Sequence, residues 1–189
     1  WKFNSSTGEL TVSGHGEMPD YGLEDAPWFS LHSQIKSVVF SDDITYIGNN
    51  SFGFEFPAAQ YENLTNVALP KALQGIGINA FRGAPLKTIV LPTGLKTIDQ
   101  AAFADTQLTT IHIPASVSKL DEYPTYEGWF AFDCSTLKSI TVDSSNPYFE
   151  SQNGVLFSKG KTSHYIFSFA KQHYIVYYPV HTERACIPR

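Results

Sequence analysis

Charge is scarce in this 189-residue chain. Only 16% of the residues are Asp, Glu, Lys or Arg, and the formal charge is −5. The 13 Lys and Arg are scattered, so no basic stripe awaits a nucleic-acid backbone. No run of about 18 apolar residues occurs, which leaves no segment to span a membrane as a helix. The two cysteines, Cys134 and Cys186, make no metal-ligand spacing. The six histidines do not cluster, and His173 and His181 merely flank a strand-like run; zinc needs three or four convergent ligands. No GxSxG element is present, and no Cys–His pair stands in a recognisable context. The acidic pairs Asp42–Asp43 and Asp121–Glu122 are adjacent in sequence and belong to turns. A glycosidase instead sets two carboxylates from separate elements across a sugar. The expectation is a chain that is not an enzyme and takes no cofactor or metal. A signal peptide is also missing, but Trp1 is not a natural start. A preceding segment is expected, and the missing signal says nothing about localisation.

What is abundant is apolar and aromatic: 42% hydrophobic residues, with 14 Phe and 10 Tyr, the composition of a folded soluble chain. These residues recur with a period. In Leu86–Leu108, LKTIVLPTGLKTIDQAAFADTQL, apolar residues fall at Ile89, Leu91, Leu95, Ile98 and Phe103. The same pattern precedes it at Leu64, Val67, Leu69, Leu73, Ile76 and Phe81. It follows at Leu108, Ile111, Ile113, Val117, Leu120 and then Phe132. Leu64 to Leu86 and Leu86 to Leu108 are both steps of 22 residues. A fixed period in this range marks a solenoid whose units bury a continuous core by stacking.

Residues 1–34 precede the repeats. WKF, a turn at SSTG and ELTVSG read as a hairpin, and repeat arrays need such an end cap. GHGEMPDYGLEDAPWF then reads as a loop anchored by Trp28 and Phe29. The first repeat is Ile35, Val38, Phe40, Ile44, Ile47 and Phe52. Its step to Leu64 is 29, so seven extra residues sit within GFEFPAAQYEN. Leu108 to Leu137 is also 29, with the extra residues within DEYPTYEGW. The fifth repeat starts at Leu137, Ile140 and Val142 and breaks where Asn146 and Pro147 replace a core residue.

Within a coil, TIVLP alternates, so Ile89 and Leu91 face one way and Thr88 and Val90 the other. Parallel strands are expected at 36–40, 65–69, 87–91, 109–113 and 138–142, all in one sheet. Pro70, Pro92 and Pro114 close three of them, having no N–H for a ladder. IDQAAF reads as a short helical turn with Asp99 as a cap candidate. The small residue before each Phe (Ser51, Ala80, Ala102, Ala131) implies tight coil spacing.

The pattern LxxIxLPxxLxxIxxxAF resembles the BspA-like leucine-rich repeats of bacterial surface proteins. WKFNSSTGELTVSGHGEMPDY resembles the cap that precedes such arrays, and SNPYFESQNGVLFSKGKT the segment that interrupts them. The resemblance covers about residues 1–165. It implies a right-handed leucine-rich repeat superhelix of β/α type, with one parallel concave sheet, short helical or irregular convex segments and an N-terminal hairpin cap. The implied division is a cap at 1–34, repeats at 35–142, and an interrupting segment with a C-terminal cap or degenerate repeat at 143–189. The ninth repeat position holds Ala72, Gly94 and Ser116, so no asparagine ladder is expected. Cys134 falls where the family has a buried Cys, and a bridge to Cys186 stays open. The family is associated with adhesion to host extracellular proteins and to other cells, which implies an extracellular or cell-surface location.

Two surfaces are candidates for binding. The outward strand positions Ser37/Val39, Asn66/Ala68, Thr88/Val90, Thr110/His112 and Ser139/Thr141 form a smooth face that suits a partner's chain. Small β-formers also simply pack well on a sheet. The insertions carry Phe54, Phe56 and Tyr61, and Tyr123, Tyr126 and Trp129. Loops on a rigid scaffold carry binding, and these rings suit a sugar or a protein anchor; they equally serve to cover the coil edge. Aromatics are the commoner hot spots, so the insertions rank above the strand face. The partner is expected to be a protein or glycan. A structural spacer or a carbohydrate-binding module are the alternatives.

Overall fold

The structure is a computed structural model and describes residues 1–22, 24–53, 61–120 and 130–159. The chain coils as a β-solenoid whose turns are tied by parallel backbone ladders. The strands are β1 (Lys2–Asn4), β2 (Glu9–Val12), β3 (Gly16–Glu17), β4 (Ser37–Phe40), β5 (Ile44–Ile47), β6 (Asn66–Ala68), β7 (Gly75–Ile76), β8 (Thr97–Ile98), β9 (Thr110–Ile113), β10 (Lys119–Leu120), β11 (Ser139–Val142), β12 (Phe149–Gln152) and β13 (Val155–Ser158).

The first wall holds four of the five strands the repeat pattern predicts. β1 and β2 form the antiparallel cap hairpin, and β2 then pairs in parallel with β4, and β4 with β6. Further along, β9 pairs in parallel with β11, from Thr110 opposite Ser139 to Ile113 opposite Val142. The expected strand at 87–91 is not formed, so this wall consists of two ladders rather than one sheet. Leu91 is buried, Ile89 half-buried and Val90 exposed, as the alternation requires. Alternation fixes which way a residue faces, not whether neighbouring amides line up. On this wall, ladders form where the step between coils is 29 residues (Ser37 to Asn66, Thr110 to Ser139) and lapse across the two 22-residue steps.

The second wall is continuous. β3, β5, β7, β8 and β10 run in parallel, with Ile47, Ile76, Ile98 and Leu120 buried in register. This sheet stands where the sequence suggested irregular or helical returns. IDQAAF contributes Ile98 to β8 and then turns. Ala101 has φ +54, and one left-handed residue stops a right-handed helix. Asp99 therefore caps no helix; its carbonyl accepts the Ala102 N–H in a turn at 3.2 Å.

A third set of backbone bonds runs past the small residues. The N–H of Phe52 donates to Ala80, that of Phe81 to Ala102 and that of Phe103 to Ala131, at 2.8, 2.8 and 2.7 Å. Ser51, Ala80, Ala102 and Ala131 are fully buried, and such small side chains let successive coils approach to this distance. The approach stacks the rings beside them. Phe52–Phe81, Phe81–Phe103 and Phe103–Phe132 lie 5.5, 5.4 and 5.6 Å apart, with planes within 6°, 11° and 6°. Offset stacked rings each bury a large apolar area and gain a little beyond it.

The cap extends this column. Trp28 is 2% exposed, and its indole N–H donates to the Ser51 carbonyl at 3.0 Å. It packs on Phe52, not on Phe40 as a cap ring might; Phe40 meets Phe52 edge-on at 5.8 Å. At the other end β12 and β13 form an antiparallel hairpin docked on β11, where Ile140 N–H donates to the Gly154 carbonyl at 2.8 Å. Asn146 is fully buried there. Its amide donates to Pro114 and Val117 carbonyls, and its oxygen accepts the N–H groups of Tyr148 and Phe149. A polar residue in the core position is tolerated because all its bonding capacity is used.

Candidate functional site

The first wall brings its outward residues together. In register, Ser37 lies beside Asn66, Val39 beside Ala68, Thr110 beside Ser139 and His112 beside Thr141. Asn66, Ala68, Thr88, Val90, Thr110, His112 and Thr141 are exposed. Val39 is 36% exposed and Val90 83%. The result is a strip of small apolar groups beside a strip of hydroxyl and amide groups. His112 Nδ1 and Thr141 Oγ1 share a hydrogen bond at 3.1 Å. Asp143, at the end of the same strand, is held below its usual carboxylate range, chiefly by the Ser145 hydroxyl and less by His112.

The insertion aromatics divide. Phe54, Phe56, Tyr123, Tyr126 and Trp129 lie outside the described residues. Tyr61 is placed, and it is not a surface ring: it is 1% exposed. It meets Phe52 edge-on at 5.7 Å, and its hydroxyl donates to the Ser51 carbonyl at 3.3 Å. Burial pushes the Tyr61 hydroxyl well above the ordinary phenol range. The hydroxyl finds the carbonyl that also accepts from Trp28, so the ring can enter the core without leaving a polar atom unpaired. Tyr61 closes the coil edge.

Several titratable groups among the described residues are engaged structurally. Asp42 pairs with Lys71 at 2.6 Å between successive coils, in an exposed setting where such a pair contributes little. Cys134 is a free, buried thiol; its sulfur donates to the Phe103 carbonyl at 3.0 Å and lies 3.0 Å from the Thr106 hydroxyl. Burial pushes this thiol up to about 11. Cys186 lies outside the described residues. Among the described residues, no group of three or more His, Cys, Asp or Glu is placed to hold a metal ion, and no helix is long and apolar enough to cross a membrane.

Two features escaped the sequence reading. Arg82 is 4% exposed, and its Nε donates to Asp105 at 3.3 Å. Nearby Asp133 is raised, first by burial and then by the Asp105 charge, against the pull of Arg82. The available signal was that Arg82 follows the column phenylalanine Phe81 directly and so had to lie near the core. The second is a set of left-handed residues at one coil corner: Asn50, Asn79 and Ala101, with φ of +54°, +55° and +54°. Asn79 Nδ2 donates to Asn50 Oδ1 at 3.2 Å, a side-chain link between coils at a different repeat position from the one tested for an asparagine ladder.

Among solved structures, a leucine-rich repeat protein from Eubacterium ventriosum is similar with TM-score 0.65 and 26% identity, over 87% of this chain and 46% of that one. The pneumococcal vaccine antigen PcpA is similar in fold, with TM-score 0.50 and 23% identity over 71% of this chain and 36% of that one. The chain thus spans less than half the length of either. No curated protein matches it. The family model for the BspA type leucine rich repeat region (6 copies) matches residues 54–168. The 22- and 29-residue coils, the stacked phenylalanines and this match agree: the chain belongs to the BspA-type leucine-rich repeat family.

Proposed function

We propose that the chain is a non-enzymatic binding module of a bacterial cell-surface or secreted protein, and that it adheres to a protein of the host, its matrix or another cell. The observation that carries this reading is the outward strip of the first wall. Val39 and Ala68 present apolar atoms to solvent from the paired strands β4 and β6, and Val90 does so from the segment between the buried Leu86 and Leu91. A rigid neutral wall loses little entropy when a partner docks. Its side chains offer contact area and hydroxyls, with no group aligned for bond making or breaking. Thr88, Val90, Thr110 and His112 are proposed as the contact residues of this face. Phe54, Phe56, Tyr123, Tyr126 and Trp129, in the two insertions, are proposed as the flanking anchors, because aromatic rings bury far more area than hydroxyls.

An array of extracellular-matrix proteins and glycans is the first experiment. With a partner in hand, Val90→Asp and the pair Tyr126→Ala, Trp129→Ala are compared. Each should weaken binding while the melting temperature stays put, with the aromatic pair the more damaging. Saturable binding unaffected by all three changes would overturn the site. Failure to retain any protein on the array would favour a spacer that holds another domain away from the cell.

A further inference from the structure

Beside the first coil the cap leaves a cleft of about 230 Å³, apart from the wall just described. Trp1, Tyr21 and Trp28 line it. The planes of Trp1 and Tyr21 stand at 83° and 75° to that of Trp28, with centroids 6.5 and 5.6 Å away. Trp28 is locked, stacked on Phe52 with its indole N–H spent on Ser51. Tyr21 is pinned through its backbone: its N–H donates to the Asn49 carbonyl at 3.0 Å and its carbonyl accepts Asn50 Nδ2 at 2.8 Å. A Cβ built on Gly16, another lining residue, would meet nothing within 4 Å, so the space beside it is unfilled.

One acidic side chain and His15 are among the residues that line this opening. Glu17 lines it, and among the described lining residues there is no lysine or arginine. On the adjoining strand the Tyr46 hydroxyl is pushed above its ordinary range, first by burial and then by the charges of Asp20, Asp99 and Glu17. Acidic side chains thus neighbour this strand, in a chain whose formal charge is −5.

We propose that this cleft binds a quaternary or multiply methylated ammonium group. Such a cation has few or no N–H donors, so hydrogen-bond acceptors do little for it. It is held by aromatic rings within about 6 Å and by a carboxylate for its charge. Trp1 and Tyr21, set edge-on against the buried Trp28, supply the ring surface, and Glu17 among the lining residues supplies the charge. The volume admits a tetramethylammonium head with room for a tether. A neutral sugar would gain from the rings but nothing from the Glu17 charge.

The test titrates tetramethylammonium chloride into the chain and follows tryptophan fluorescence and the Trp1 indole N–H resonance. Sodium chloride at equal ionic strength and tert-butyl alcohol, a neutral group of similar shape, are the controls. Saturable binding of tetramethylammonium, absent with sodium and at least several-fold weaker with the alcohol, is expected. Trp1→Ala should weaken it about tenfold and Glu17→Gln by about threefold. Both residues are solvent-exposed, so neither change should move the thermal midpoint. Trimethyl-lysine peptide and glycerophosphocholine then separate a protein side chain from a lipid headgroup as the source of the cation. Equal affinity for the alcohol, no saturation, or indifference to Glu17→Gln would overturn the proposal, as would binding of monosaccharides in place of tetramethylammonium.

Discussion

Trp28 lies parallel to Phe52, with centroids 5.2 Å apart and planes 12° from each other, so a residue of the cap supplies the first ring of the column that runs through the repeats. Cap and coils should therefore unfold together. Phe103→Ala should cost roughly 3–5 kcal/mol, and Trp28→Ala a similar amount, because each opens a large cavity in a column that neighbours cannot fill. In a stack of nearest-neighbour units the damage spreads to the flanking coils. Urea midpoints measure both. A Trp28→Ala midpoint equal to that of the parent would show that the cap lies outside the cooperative unit.

Asn146→Leu should fail as a repair of the repeat pattern. Leucine suits an apolar core position, yet here it would strip partners from the Pro114 and Val117 carbonyls and from the Tyr148 and Phe149 N–H groups. Buried polar groups left unpaired cost about 1–3 kcal/mol each. A loss of at least about 3 kcal/mol is expected even with some water entry. Hydrogen exchange at the Tyr148 and Phe149 amides should accelerate by a larger factor than at Ile111.

Asn79 separates backbone strain from hydrogen bonding. At φ +55° an alanine is disfavoured by about 1–2 kcal/mol, while glycine escapes that penalty. Both substitutions lose the link to Asn50. Asn79→Ala should therefore be less stable than Asn79→Gly, by up to about 1 kcal/mol once glycine's greater unfolded-state entropy is set against it. Equal midpoints for the two variants would mean the corner relaxes out of the left-handed region.

Cys134 sets an alkaline dependence. Its folded-state value is pushed from 9.0 to about 11 by burial. The folded chain thus keeps a proton that the unfolded chain releases, so stability is whole below about pH 9 and declines as pH rises toward 11. Cys134→Ser should flatten that decline. In the native state the thiol should react with alkylating reagents orders of magnitude more slowly than in urea.

The core columns were legible because each coil repeats one physical requirement, an apolar side chain at a fixed place. Phe52, Phe81, Phe103 and Phe132 could be aligned by eye and do stack. The second sheet was not legible. Its inward residues, such as Ile76 and Ile98, were counted as core, but two-residue strands leave no alternation to read. The lapse at 87–91 was equally hidden, since pairing depends on backbone alignment between coils. Tyr61 looked like a binding aromatic because it sits at the end of an insertion; only the geometry shows the Ser51 carbonyl that lets it enter the core. Trp1, Tyr21 and Glu17 were read as cap material, and nothing in their spacing announces that they line one cleft.

The coexistence of 22- and 29-residue steps has a mechanical consequence. The ladders that join successive coils run along the solenoid axis, so force applied between its ends loads them one coil at a time, as in opening a zip. A freed residue adds at most about 3.3–3.6 Å of contour. A short coil peeling away thus releases roughly 75 Å and a long coil roughly 100 Å. A molecule of this build, tethered and pulled, would lengthen in increments of two sizes and would keep the coils not yet reached folded. The total extension would then be set by the count of coils, not by the strength of any single bond.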